Sequence, residues 1–273
     1  MKLYDQHVHS YYSFDSDQPI KEYLDKAQEL GLEYFILTEH LDVNYLDKGE
    51  PIVFDIDKEE EELSMLQKEY PNIRILRGIE IGYKPNNIKD IKNFIKGHRF
   101  DVINFSMHES DGLDYYFKEG FIERGIKKTL NLYFQRQLEM ARNYDDYDVF
   151  CHLDFGFKTA FLLDNSFKIN DYEETLSLIM KEIIKRDKAL EINTKVQQFL
   201  PLEHTKYILY LYKKLGGKNL TLSSDAHKID RFCIHFDKYI SLIKECGFDH
   251  LNYFIDRKRY DIDIDEYIYL HNN

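Results

Sequence analysis

Seven short apolar runs rich in β-branched and aromatic residues recur along the chain, each parted from the next by a longer stretch of helical period. The runs are Leu3–Val8, Tyr34–Leu37, Ile73–Ile79, Val102–Phe105, Asp148–Cys151, Ala189–Ile192 and Leu220–Leu222. Strands that alternate with helices are joined by crossovers long enough to leave them parallel, and a parallel sheet needs both faces covered. The rhythm therefore predicts an α/β fold built from βαβ units. Helical period is clearest in the first crossover: Asp17 is placed to cap a helix, Pro19 suits its first turn and Gly31 follows its end. The other helices are expected near 57–69, 86–96, 121–143, 171–187, 202–215 and 236–246.

No Gly/Ser-rich linker or repeat interrupts the series, and α/β barrels commonly reach 273 residues as one domain, so a single domain over 1–273 is expected. With 43% hydrophobic residues, 22 Tyr and 19 Phe among them, the chain can fill a sizeable core. The Glu59–Glu62 run reads as a solvated helix face. The alternating tail Asp261–Glu266 reads as an edge strand or a cover over the barrel floor.

Charge and targeting signals narrow the function. The net charge of −12 opposes non-specific binding of nucleic acid or anionic membrane. Cys151, Cys233 and Cys246 are scattered and odd in number, which suggests neither a disulfide framework nor a CxxC zinc site. The start of the chain has no apolar run behind its positive charge, and no window approaches the ~18 apolar residues of a spanning helix. A cytoplasmic protein with no membrane association is expected. The sequence assigns no oligomeric state.

The chemistry lies where the strands end. The runs terminate in His7-Val8-His9, Thr38-Glu39-His40, Gly78-Ile79-Glu80, Ser106-Met107-His108, Cys151-His152, Asn193-Thr194-Lys195 and Asp225-Ala226-His227. In a β/α barrel those ends converge on one face. His7 and His9, two apart on extended backbone, project to the same side and can share an ion, although His-x-His also occurs by chance. A lone histidine beside a strand is ordinarily a hydrogen-bonded rim or core residue. Here six of the eleven histidines fall at strand ends together with Glu80 and Asp225. Imidazoles and carboxylates crowded into one cleft repel or stay unsatisfied unless divalent cations lie between them. His98, His204, His250 and His271 read as surface residues, and His235, one loop beyond His227, can reach the cleft or cap a helix.

Taken in order, Asp5-Gln6-His7-Val8-His9, Asp15 after a Ser-rich turn, Thr38-Glu39-His40, Gly78-Ile79-Glu80, Ser106-Met107-His108, His152-Leu153-Asp154 and Ser224-Asp225-Ala226-His227 resemble the PHP (polymerase and histidinol phosphatase) superfamily, and most of all its histidinol-phosphate phosphatase branch. The resemblance implies a distorted seven-stranded (β/α)7 barrel, TIM-barrel-like, holding two to three divalent ions: zinc, manganese or iron. It implies one ion on His7, His9, Glu80 and Asp225, a second on Asp15, His40 and His227, and a third on His108 and His152 with Glu80 bridging back. Asp15 stands where many relatives have histidine. Asp17 is the alternative ligand. Lys158 and Lys195 stand where the family's phosphatases tend to use arginines to grip phosphate; a lysine binds phosphate as a point charge rather than a fork.

The implied activity is hydrolysis of a small phosphate monoester, L-histidinol phosphate to L-histidinol and phosphate, a step of histidine biosynthesis. A metal-bridging hydroxide would attack phosphorus in line, Lys158, Lys195 and Ser106 would hold the phosphoryl group, and Asp225, His227 or His235 would protonate the leaving alkoxide. The alternatives are a PHP phosphoesterase acting on a nucleotide, sugar phosphate or short oligonucleotide, a non-catalytic metal-binding PHP domain, and a metal-dependent amidohydrolase. The last usually bridges its metals with a lysine or carboxylate after the fourth strand, where this chain has Met107-His108.

Overall fold

The structure is a computed structural model that describes residues 4–47 and 51–266. Six parallel strands form one curled sheet: β1 Tyr34–Leu41, β2 Arg74–Gly82, β3 Val102–Ser106, β4 Val149–Phe150, β5 Ala189–Asn193 and β6 Leu220–Ser223. Their spatial order follows their chain order, so every crossover steps one strand onward and all the strand ends gather on one rim.

The seventh expected strand, Leu3–Val8, is the exception. Leu3 lies outside the described residues, and the segment that follows meets its neighbours at a single bridge, Val8 to Ala226. Side-chain acceptors replace the ladder: Val8 N donates to Thr38 Oγ1 (3.0 Å), Ser10 N to Glu39 Oε1 (3.0 Å) and Ser224 N to Asp5 Oδ1 (2.9 Å). Two backbone bonds flank the bridge, His9 N to Ala226 O and Thr38 N to Val8 O, both 2.8 Å. The segment thus spans the gap between β1 and the end of β6 without becoming a regular strand.

Period-two alternation sorts each strand into two faces. Outward residues pack against the helices in the main core. Inward residues Ile36, Leu76, Val102, Val149 and Ala189 form a second cluster with Phe254 and Ile255. The last two belong to a hairpin, His250–Ile255 with Lys258–Asp263, whose first strand closes the floor of the curled sheet. The acid-alternating tail accordingly begins in an edge strand and continues as a 3-10 turn, Ile264–Glu266.

Four local expectations are corrected. The first helix is Ile20–Glu29, preceded by Pro19 as an extended N-cap residue, while Asp17 is exposed and caps nothing. The 121–143 helix is two, Lys118–Arg124 and Ile126–Asn143, because Gly125 turns to φ +87°, a conformation glycine adopts without a Cβ clash. Helix Phe155–Leu163 was hidden in the sequence because Phe155 to Ala160 are all buried, leaving no amphipathic stripe to reveal it. Glu59 is buried and paired with Arg77 at 2.6 Å rather than solvated. Among the described residues no helix is long and apolar enough to cross a membrane.

Candidate metal centre

The alternation that puts Ile36 and Leu76 on the inner face of the curled sheet also turns Thr38 and His40, and Gly78 and Glu80, inward higher on the same strands. His40 pairs in register with Glu80, and Glu80 with Asn104. Space at this level is tight: a Cβ on Gly78 would lie 2.7 Å from both Thr38 Cγ2 and Val102 Cγ1. Two strand-end residues, His152 at φ +22° and Asp225 at φ +51°, hold backbone conformations that side chains seldom adopt, which is common where a site dictates direction.

Glu80 sits at the centre. Its Oε1 lies 3.0 Å from His108 Nε2 and 2.9 Å from His152 Nε2. Its Oε2 lies 3.2 Å from His7 Nε2, 3.4 Å from His9 Nε2 and 2.9 Å from His40 Nδ1. One carboxylate therefore faces five imidazoles. Asp225 Oδ1 lies 3.5 Å from His9 Nε2, and Asp15 reaches across to His40 (3.5 Å) and His227 (3.1 Å).

This donor set fits divalent metal ions. His7 Nε2, His9 Nε2, His40 Nδ1, His227 Nε2 and Glu80 Oε2 are all buried, yet none makes a hydrogen bond. Buried polar atoms are ordinarily satisfied, so a group of unsatisfied lone pairs aimed at common points indicates that a cation belongs between them. On three of the histidines the opposite ring nitrogen is held as metal ligation requires. His7 Nδ1 donates to Glu191 Oε1 (2.7 Å), His9 Nδ1 to Ser13 Oγ (3.0 Å) and His108 Nδ1 to Asp42 Oδ1 (3.0 Å).

The electrostatics agree with that reading. Burial pulls His7 down, but Glu80, Glu191 and Asp225 hold its imidazole well above its usual pKa. Its neighbour His9 is pushed well below by burial and by His40 and His227. Burial would raise Glu80, yet the imidazoles of His7, His108 and His40 hold its carboxyl well below the usual range. Histidines this close cannot all be cations, and their lone pairs are left for something else.

A cavity of about 370 Å³ opens onto the cluster. His40, His108, His152, His227, Asp15 and Asp225 line its depth, and Phe14, Tyr45, Tyr116, Phe117 and Phe155 line its walls. The site is thus a polar base of metal-type ligands under an aromatic mouth.

The PHP domain sequence profile matches residues 5–195. The chain belongs to the PHP domain family. Over 246 residues this PHP domain is 31% identical to a probable histidinol-phosphatase of Clostridium acetobutylicum, covering 90% of this chain and 94% of the relative. It is 32% identical over 266 residues to a histidinol-phosphatase of Lactococcus lactis, covering 94% and 96%. The crystal structure of histidinol phosphate phosphatase from Lactococcus lactis, complexed with zinc, L-histidinol and phosphate, superposes with a TM-score of 0.85 at 29% identity, covering 94% of this chain and 98% of that one.

Within this PHP domain the structure brings His7, His9, Asp15, His40, Glu80, His108, His152, Asp225 and His227 into one cluster. Lys195 joins its edge, with Nζ 3.1 Å from both Asp225 Oδ1 and His227 Nδ1. Lys158 is buried beside the rings of Phe155 and Tyr116, and it is not among the cavity's lining residues. Ser106 donates to Glu80 and is not among the cavity's lining residues. His235 stands apart: it is exposed, with φ +62°, as the backbone N-cap of Phe236–Glu245, and it does not line the cavity.

His204 is not a surface residue. It is buried, its Nε2 is 2.7 Å from Asp154 Oδ2, and its ring packs on Phe157. His271 lies outside the described residues. Sequence reasoning missed Glu191, Asp42 and Ser13, which orient His7, His108 and His9 in the cluster. Glu191 carried a signal, since an acid in the middle of an apolar strand must find a partner. Asp42 is packed so closely that a Cβ on Gly82 would overlap its carboxylate at 1.8 Å.

Proposed function

We propose that the protein hydrolyses a small phosphate monoester, L-histidinol phosphate, to L-histidinol and phosphate, as a step of histidine biosynthesis. The observation that carries this reading is the ring of unsatisfied imidazoles around Glu80, in a fold shared over nearly its whole length with an enzyme solved with zinc, L-histidinol and phosphate. His7, His9, Glu80 and Asp225 would hold one ion, Asp15, His40 and His227 a second, and His108 and His152 a third with Glu80 between. Such ions supply Lewis acidity, which makes water nucleophilic at neutral pH and neutralises phosphoryl charge.

The chain's own residues do the rest. Lys195 and Lys158 present ammonium charge to the phosphoryl oxygens. The aromatic mouth of Phe14, Tyr45, Tyr116 and Phe117 excludes water and receives the planar part of the alcohol. Ser106 holds Glu80 in place. Asp225 is a poor proton donor, because Lys195, His7 and His227 outweigh burial and hold its carboxyl below the usual range.

In this reading residues 1–273 form one domain, the segment around His7 takes the place of a seventh barrel strand, and the enzyme works in the cytoplasm on a small molecule rather than on nucleic acid. Elemental analysis of the purified protein, with phosphate release from L-histidinol phosphate, tests it. Two to three equivalents of metal with rapid release are expected. Stoichiometric metal without release would keep the enzyme class and remove the substrate, leaving another phosphate monoester, a possibility favoured by lysine at 158 and 195.

A further inference from the structure

Of the three histidines whose outer ring nitrogen is held, one is held by a different kind of group. Glu191 and Asp42 are carboxylates, which only accept, so His7 and His108 carry a proton on Nδ1. His9 Nδ1 meets a hydroxyl instead, Ser13 Oγ at 3.0 Å. A hydroxyl donates as readily as it accepts, so Ser13 alone would let His9 carry its proton on either nitrogen. A proton on Nε2 would cover the lone pair that lies buried, without a hydrogen bond, 3.4 Å from Glu80 Oε2 and 3.5 Å from Asp225 Oδ1. Something beyond Ser13 has to choose.

Glu39 lies between the inward-facing Thr38 and His40 on β1 and so points to the other side of the sheet, where it is fully buried. Its hydrogen bonds go to the turn that follows His9. Ser10 Oγ donates to Oε1 at 2.5 Å, Ser10 N lies 3.0 Å from Oε1 and 3.2 Å from Oε2, and Ser13 Oγ donates to Oε2 at 2.5 Å. Ser13 Oγ also accepts from His40 N at 3.2 Å. A hydroxyl has two lone pairs and one hydrogen. His40 N, which can only donate, occupies one lone pair, and the carboxylate of Glu39 takes the hydrogen. What is left for His9 is a lone pair, and a lone pair requires the imidazole proton on Nδ1.

We infer that Glu39 is a positioning residue of the metal centre, fixing the tautomer of His9 through Ser13 so that Nε2 stays bare for an ion. The inference rests on the metal-centre reading above. Glu39 does not line the cavity and acts only through the relay. Glutamine at this position would reverse the relay's direction. Ser10 N and Ser10 Oγ both donate at the Oε1 position, which holds the amide oxygen there and sets the amide nitrogen against Ser13. Ser13 Oγ would then accept from that amide and from His40 N, its hydrogen would turn to His9 Nδ1, and the imidazole proton would move to Nε2, where the ion belongs.

The test reads the His9 tautomer by nitrogen NMR of the metal-free full chain, and zinc affinity by competitive chelator titration. Metal-free wild type should carry the His9 proton on Nδ1. Glu39→Gln should carry it on Nε2 and bind zinc about 100-fold more weakly. Ser13→Ala leaves the bonds between Glu39 and Ser10 in place and merely frees the imidazole, so both tautomers should be populated and the loss should be smaller, about 10-fold. Adding Ser13→Ala to Glu39→Gln should bring affinity back up to the Ser13→Ala level, because the misdirecting hydroxyl is gone. A glutamate that only braced the turn would instead give losses that add. A His9 proton that stays on Nδ1 in Glu39→Gln, additive losses, or wild-type affinity in Ser13→Ala would overturn the proposal. The tautomer is read without metal and so answers for the relay by itself, whereas wild-type protein that takes up no zinc overturns the metal centre, and any relay serving it.

Discussion

The two ends of the same sheet have opposite chemistry. At the floor, Ile36, Leu76, Val102, Val149 and Ala189 close on Phe254 and Ile255 in a dry cluster. A few residues further along, β1 and β2 present His40 and Glu80, while the segments that follow β3 and β4 supply His108 and His152. One end gains free energy by removing apolar surface from water; the other spends it by burying polar atoms that the protein alone leaves unsatisfied. Stability and chemistry are thereby separated along the strand axis, and each end should be breakable without the other.

Glu80→Gln should be the most damaging change. Five imidazoles lose the one carboxylate they share, so metal content should collapse and turnover fall by at least about 10³-fold, the several kcal/mol that Lewis-acid stabilisation supplies. Thermal melting of the metal-free variant should match or exceed that of metal-free wild type. Phe254→Ala should do the reverse: about 3 kcal/mol of stability lost in denaturant unfolding, with metal stoichiometry and KM unchanged. A drop in metal content in Phe254→Ala would show that the two ends are coupled. The coupling would run through Gln6, whose Oε1 accepts from Phe254 N (2.8 Å) and which sits one residue from His7. Chelation of the wild-type protein should lower its stability by about 2.7 kcal/mol for an ion present at about 100 times its Kd, and re-addition of metal should restore it. An unchanged melting temperature after chelation would mean that no ion is held by the folded state.

The rim was largely legible because its residues interrupt apolar strands at repeated positions: His40, Glu80, His108, His152 and Asp225 each end or closely follow a run that reads as β. The floor was less so, since nothing in Phe254 or Ile255 distinguishes a plug from any other strand. Residues whose roles depend on a distant partner were the least visible. His204 looks like a solvent-facing histidine at the start of a helix until Asp154 meets it, and Glu59 looks like one acid among four until Arg77 covers it. The first strand misled for a related reason. Its apolar pattern is strand-like, but Thr38, Glu39 and Asp5 supply from side chains what a neighbouring backbone would otherwise provide.

Glu191 joins the two ends and makes the finest test. It lies on β5 two residues beyond the floor residue Ala189, fully buried, and accepts from His7 Nδ1 (2.7 Å), Ser223 Oγ (2.6 Å) and His152 N (2.8 Å). Burial favours its protonation, but His7, followed by His152 and Ser223, holds its carboxyl below the usual range. As a carboxylate it fixes the His7 tautomer and leaves Nε2 facing Glu80. Glu191→Gln keeps the shape and can still accept through its amide oxygen, but it loses the charge that makes the imidazole a stronger ligand. Metal affinity should fall about 10- to 100-fold, with kcat recovering at saturating metal. A competitive chelator titration measures that shift. Loss of kcat that added metal does not restore would mean that Glu191 shapes the reacting geometry itself, and the separation between floor and rim would then end at this residue.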